Sequence, residues 1–202
     1  MPNMIRWSMV AALAFALVTG TLVATRQAVA AGPQETTQPS PHLTAEQISR
    51  RILSLINSLH TRADLTPAAV ENIVSVKVDT SPKNHNEWGF SGKLTDVWSY
   101  DFDTVGDAAD AHPYRLEFIF RDQPRGSATD MTAVCGLDFD EYTRILTGAG
   151  FKSSPYHGEH GRLIYWEFLR DAVSVKISIR GESDARTDHL CVSMLIADVN
   201  TK

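Results

Sequence analysis

The residues best suited to chemistry lie in the segment SPYHGEHGRLIYW, residues 154–166, where His157 and His160 flank Glu159. Two histidines at a spacing of three could bind zinc from one face of a helix, provided that a third ligand completed the site. The two glycines of the segment and the alternating pattern around it predict a β-hairpin tip instead. We therefore expect no metal and no cofactor here, and we interpret the three side chains as polar contact residues on a loop.

Other catalytic patterns are incomplete. The segment DFDTVG, residues 101–106, begins like a calcium-binding loop, but Val105 stands at its fifth position and His112 at its twelfth, where carboxylates are needed. The segment GESDA, residues 181–185, lacks the second glycine of a nucleophile elbow. We therefore predict no catalytic residue and a protein that is not an enzyme. One alternative stays open, a zinc-dependent or other small periplasmic hydrolase that uses the histidines and glutamate of residues 157–160.

The first thirty residues are typical of a secretory signal peptide. Arg6 precedes an apolar run from Trp7 to about Ala24, and Ala28-Val29-Ala30 fits a cleavage site. We expect residues 1–30 to be removed, which places the protein in the periplasm without a membrane anchor. The polar segment that follows, residues 31–42, is predicted to be a flexible linker.

Export determines how the two cysteines are interpreted. In an oxidising compartment Cys135 and Cys191 are expected to form a disulfide, and no neighbouring base supports a reactive thiolate.

The chain holds 19 Lys and Arg against 24 Asp and Glu, for a net charge of −5. This balance argues against nucleic acid or an anionic membrane as partner and is compatible with a cationic protein.

Helices are predicted where capping residues precede apolar stripes. Thr44 and Gln47 form a capping box, and apolar residues repeat at helical spacing from there to Leu59. Thr66-Pro67 begins a short second helix, and Asp138 caps a third.

After these first helices the sequence period is mostly two. In residues 98–103 the aromatic side chains share one strand face, while Asp101 and Asp103 lie on the other and could steer a basic partner. The other strands are predicted at residues 114–121, 151–156, 162–169, 173–180 and 190–199. Together the elements predict an α+β fold, with antiparallel sheet packed against N-terminal helices.

The two halves of the chain share this order of elements and some letters. Gly92-Lys93-Leu94 is followed by Trp98, as Gly161-Arg162-Leu163 is followed by Trp166. We predict tandem helix-plus-meander units at residues 43–121 and 135–202, joined by a loop at residues 122–134. The predicted loop tips are residues 88–92 and 156–161.

Four stretches resemble the architecture of the β-lactamase inhibitor protein: the helix LTPAAVENI (65–73), the stretch from Trp88 to Phe102, the strand YRLEFIF (114–120) and the second copy (138–180). In size and layout the chain is also similar to periplasmic immunity proteins that neutralise antibacterial effectors. These resemblances imply a protein-binding inhibitor that occludes a toxic effector encoded next to it.

A structural envelope component remains an alternative, because single copies of the unit occur in outer-membrane assembly lipoproteins, although this chain lacks their lipid-attachment cysteine. The interface candidates are Trp88, Phe90, Asp101, Asp103, Tyr156, His157, Glu159 and His160.

Overall fold

The computed structural model describes residues 43–123 and 130–200. The predicted signal peptide and linker lie outside the described residues, as does part of the predicted connecting loop. None of the helices in the described ranges is long and apolar enough to cross a membrane.

Three α-helices begin where the sequence predicted them. They are α1 (Ala45–Ser58), α2 (Pro67–Val74) and α3 (Phe139–Gly148). Each start is held by a side-chain cap: Thr44, Thr66 and Asp138 accept hydrogen bonds from backbone N–H groups of the first turn. These bonds satisfy donors that a helix start would otherwise leave unpaired, so local sequence determines where each helix begins.

The strands form one antiparallel sheet in the order β1-β2-β3-β4-β8-β7-β6-β5. Their bounds are β1 (Asp79–Thr80), β2 (Trp88–Lys93), β3 (Trp98–Val105), β4 (Arg115–Asp122), β5 (Lys152–His157), β6 (Leu163–Arg170), β7 (Val173–Ser183) and β8 (Arg186–Val199). The predicted α+β class is therefore confirmed.

Two four-stranded meanders make up this sheet, and they meet through the last strand of each, β4 and β8. Because β4 and β8 are antiparallel, a half-turn about an axis perpendicular to the sheet maps the strand order of one meander onto that of the other. That rotation carries β2 onto β6 and β3 onto β7. The letter match pairs Trp98 in β3 with Trp166 in β6, so it does not join equivalent strands. Duplication of a helix-plus-meander unit stays a prediction that rests on topology.

The loop tip predicted at residues 88–92 is wrong, because these residues form the paired strand β2. The glycines in it serve close packing: a methyl group at Gly92 would collide with the ring of Tyr100, and one at Gly89 would collide with the Phe102 carbonyl. The turn between β2 and β3 lies at residues 94–97 instead.

All three helices lie on one face of the sheet and share one core with it. Phe102, Phe118 and Phe168 are fully buried on this face, and Phe139 of α3 packs against Phe168 with ring centroids 6.4 Å apart. Strand residues of the opposite parity are partly or fully exposed, with few exceptions. The sheet therefore has one face covered by helices and one face that no helix covers in the described ranges.

The predicted disulfide is present. Cys135 and Cys191 are bonded with their Cα atoms 5.1 Å apart, and 56 positions separate them in sequence. The bond ties the segment before α3 to the middle of β8, and both cysteines are buried.

Candidate protein-binding surface

We define the open face as the side of the sheet that points away from the helices. One row of cross-strand neighbours traces it from β2 to β5: Gly89, Asp103, Glu117, Ile196, Lys176, Glu167 and Ser154. The row crosses six strand spacings, which makes the face roughly 30 Å wide. A surface of this width suits a folded protein better than a small ligand.

The centre of the open face is apolar. Ile119 pairs with Met194, and Ile196 follows on the same side of β8; all three are half-buried. Ion pairs border this strip: Arg115 Nε lies 2.6 Å from Asp198 Oδ1, and Lys176 Nζ lies 3.2 Å from Asp198 Oδ2. An apolar centre with a charged border is the general anatomy of protein interfaces.

An acidic depression lies at the β1–β3 side of the open face. Its volume is about 370 Å³, and Asp79, Asp101 and Asp103 contribute to its walls. Glycine at position 89 opens it, since a Cβ there would lie 2.7 Å from Asp103 Oδ1. Partial burial, followed by the neighbouring Asp101 charge, raises the pKa of Asp103, while Arg121 opposes the shift. A cationic side chain placed here would stabilise the ionised carboxylates.

The acidic side chains in and around the β2–β4 strands are only partly free to attract cations. Asp101 forms an ion pair with Arg121, Asp96 pairs with Lys93, and Asp110 pairs with Arg62. Within the depression, Asp79 and Asp103 are the carboxylates for which the described ranges show no ion pair, so they carry most of its attraction for a basic partner.

The β5–β6 hairpin forms the far edge of the sheet. All of β5 is exposed, and the Tyr156 and Tyr165 rings stack on the open face with centroids 4.6 Å apart. Tyr156 is 50% exposed, and Ile164 on the other side of the hairpin is 40% exposed. Tyrosine, which combines a rigid aromatic ring with a polar hydroxyl, is enriched at protein interfaces.

The turn of this hairpin lies at residues 158–162, so the hairpin tip predicted from HGEHG is confirmed. His157, Glu159 and His160 are all exposed there, and His160 and Gly161 have positive φ angles of 60° and 72°. The one cluster of potential metal ligands in the described part of the chain does not include these three residues. Whether they contact a partner stays a prediction.

Trp88 and Phe90 lie elsewhere than expected. They are 3% and 8% exposed and face the helices, where Phe90 stacks on Phe102 with centroids 4.7 Å apart. As core residues they are not available for contact with a partner while β2 stays paired. The prediction was wrong because it assumed a turn at residues 88–92. A turn would expose these side chains, whereas strand β2 buries them.

Some residues of this surface escaped sequence reasoning. Tyr165 stacks on Tyr156 only because strand register brings them together, and Asp79 reaches the depression only through the short pairing of β1 with β2. Alternation in the β6 sequence could have indicated the face of Tyr165. The two-residue strand β1 has no such signal.

Comparison with known proteins gives no assignment for this chain. No protein-family model, no curated protein and no solved structure matches it significantly. A functional proposal therefore depends on the chemistry of the surface itself.

Proposed function

We propose that this protein is an inhibitor that binds another protein and blocks it, with the open face and the β5–β6 hairpin as its contact surface. One observation carries the proposal: an eight-stranded sheet has helices on one face, while the other presents an apolar strip between charged residues. Apolar side chains bordered by ion pairs on an uncovered sheet face are an arrangement that a protein partner can cover.

The acidic depression favours a partner with a protruding lysine or arginine. Asp79 and Asp103 would flank the cation, and Gly89 leaves room for it to approach the strand backbone. The net charge of −5 adds a long-range attraction that speeds encounter with a cationic protein.

The hairpin suits a role in occlusion. It stands at the edge of the sheet, with stacked tyrosines on one side and Ile164 on the other, so it could enter a cleft while the open face covers its rim. Backbone pairing of β6 with both β5 and β7 holds the hairpin in place, which limits the entropy lost on binding.

Within this class, we favour an immunity protein of the periplasm that neutralises an antibacterial effector. The buried disulfide is compatible with an oxidising compartment. The resemblance in layout to immunity proteins and the signal-like N-terminus add to it, and an effector encoded by the adjacent gene is the partner that this role requires.

The test is to produce the exported protein together with the product of the adjacent gene. We expect a stable complex in solution, rescue of growth when that product is toxic in the periplasm, and loss of both with Ile196→Arg. Ser54→Arg, on the exposed side of α1, is the matched control and should leave rescue intact. A soluble, folded pair that neither associates nor affects growth would refute the immunity role.

A further inference from the structure

His189 of β8 lies beside the disulfide, outside the proposed contact surface. Its Nδ1 atom is 3.8 Å from Cys135 Sγ and 3.1 Å from Glu182 Oε2. One ligand atom from each of Cys135, Cys191 and His189 lies within 4.8 Å of the others. Two sulfurs and an imidazole nitrogen therefore lie close together, and the Glu182 carboxylate adjoins them through His189 Nδ1.

The site is built into the protein rather than spread over its surface. Glu182 is 4% exposed, although it carries a carboxylate, and Cys191 is fully buried. Carboxylates are seldom buried to this degree unless they are paired or bind a metal. Glu182 is paired with Arg186, whose Nη1 lies 2.5 Å from Glu182 Oε2 on a more exposed side chain, so a zinc ion at Glu182 would have to replace this partner.

We propose that the reduced protein binds one zinc ion through Cys135 Sγ, Cys191 Sγ, His189 Nδ1 and Glu182. Zinc takes four ligands at about 2.0–2.3 Å in a tetrahedron, so its ligand atoms lie roughly 3.3–3.8 Å apart. The 3.1 Å and 3.8 Å separations around His189 Nδ1 already approach these edges. Thiolate, imidazole and carboxylate are all established zinc ligands.

The other nitrogen of His189 supports this assignment. Nε2 lies 3.3 Å from Asp138 Oδ2, while Asp138 Oδ1 accepts the hydrogen bond of Glu141 N that caps α3. With Nε2–H donating to this fixed carboxylate, zinc would take the Nδ1 lone pair in place of the proton that Nδ1 otherwise shares with Glu182. Carboxylates that orient a ligating histidine in this way strengthen metal binding.

Zinc and the disulfide exclude each other. A dithiol reductant gives two electrons and two protons to the Cys135–Cys191 bond and becomes a disulfide itself. Zinc then displaces the two thiol protons to solvent and binds the thiolates. A disulfide oxidant re-forms the Cys135–Cys191 bond by accepting two electrons from the thiolates and two protons from solvent; it becomes a dithiol, and the zinc ion is released. The site therefore makes metal content depend on redox state, independently of any partner protein.

The test uses the exported chain without a histidine tag, reduced with a phosphine under argon, and titrated with cobalt chloride and then zinc chloride. We expect one cobalt per chain, with a thiolate-to-cobalt absorption band that zinc abolishes. The oxidised protein should show no such band. Circular dichroism follows the fold in parallel.

Two variants separate this site from adventitious binding. Glu182→Gln and His189→Gln should weaken zinc affinity at least tenfold in competition with a chromophoric chelator. The matched controls, Glu87→Gln and His85→Gln, change exposed residues outside this site and should leave it unchanged. No cobalt–thiolate band in the reduced protein, whether folded or unfolded, would overturn the proposal. Equal affinity in His189→Gln would overturn it as well.

Discussion

Arg170, the last residue of β6, connects three parts of the fold. Its guanidinium donates to the carbonyls of Ile56, Asn57 and Leu59 at the end of α1, and to that of Ala149 after α3. It also stacks on the Phe151 ring, with Cζ 4.3 Å from the centroid. Carbonyls at a helix end lack the N–H partners of the helix interior, although Ile56 O also accepts from Leu59 N–H, so a cation there adds hydrogen bonds and interacts favourably with the helix dipoles.

Replacing Arg170 by alanine should lower the free energy of unfolding by about 2–4 kcal/mol, because several charge-assisted hydrogen bonds and a stacked contact are lost. Arg170→Lys should recover only part of this loss, since an ammonium cannot reproduce the planar fork. Urea denaturation measures both. Arg162→Ala, exposed beside the hairpin turn, is the control and should change stability by less than about 0.5 kcal/mol.

The ionised Asp103 carboxylate is predicted to lower the free energy of unfolding while it contributes to binding of a cationic partner. Its pKa is raised in the fold, mainly by burial and then by Asp101, so the ionised form is disfavoured relative to the unfolded chain. This loss of stability is complete at pH values above the pKa of Asp103 in the folded protein. It disappears at pH values below the pKa of Asp103 in the unfolded chain. Asp103→Asn should therefore be more stable at pH 7, by less than about 1 kcal/mol because the side chain is only partly buried, and equal to wild type near pH 3.

The same substitution should weaken binding of a cationic partner about tenfold at low salt, and less at high salt. Asp140→Asn, exposed on α3, removes the same charge from the helix side and should affect neither property strongly. A variant that is less stable at pH 7 and binds normally would show that Asp103 is structural.

Glu141 gives a second pH prediction. Hydrogen bonds from Arg144 come first among the causes that lower its pKa from 4.5 to about 2, and Arg50 adds to them. The lowered pKa means that the pair stabilises the fold above pH 4.5 and loses this effect as the pH falls toward 2. The melting temperatures of wild type and Glu141→Gln should therefore converge over that range. Convergence should also follow at high salt, because the pair is exposed.

Among the elements, the β5–β6 hairpin is expected to contribute more to binding than to folding. Tyr156→Ala removes a half-exposed ring and should cost the fold about 1 kcal/mol or less, while partner affinity falls tenfold or more. Phe168→Ala, buried on the helix side of the same hairpin, is the contrasting variant and should cost about 3–5 kcal/mol. Urea denaturation and calorimetric titration separate the two effects, and normal affinity of Tyr156→Ala would exclude the hairpin as a contact.

Local signals in the sequence located most elements. Capping residues such as Thr44 and Asp138 act within one turn, so the three helix starts could be predicted from neighbours in sequence. The hairpin tip at residues 158–162 was equally local, because glycine there supports the positive φ that the turn needs. Alternation likewise assigned Asp101 and Asp103 to the side of β3 that points away from the helices.

Long-range contacts account for what the sequence did not reveal. Gly89 and Gly92 suggested a turn, but they are small because Asp103 and Tyr100 of the neighbouring strand lie against them. The cluster around His189 joins β7 and β8 to the segment before α3, and these two parts of the chain are about fifty residues apart. Strand register decides both cases, and it is fixed only when the whole sheet forms.

At the scale of the whole molecule, the disulfide braces one side of a core that is otherwise held by apolar packing. Replacing both cysteines by alanine should lower the free energy of unfolding by about 2–4 kcal/mol, because the unfolded chain regains the freedom of a long loop. Far-UV circular dichroism should remain that of the native protein. Complete loss of structure would mean that the core cannot fold without the bond.

The open face is the central claim at this scale, and the affinity of matched arginine variants for the partner tests it most directly. Calorimetric titration should show at least a hundredfold loss with Ile196→Arg, which places a charge in the apolar strip, and no loss with Ser54→Arg on the helix side. Both variants should keep the wild-type circular dichroism spectrum. Undiminished affinity of Ile196→Arg, with loss of affinity in Ser54→Arg, would place the contact surface on the helices and contradict the account.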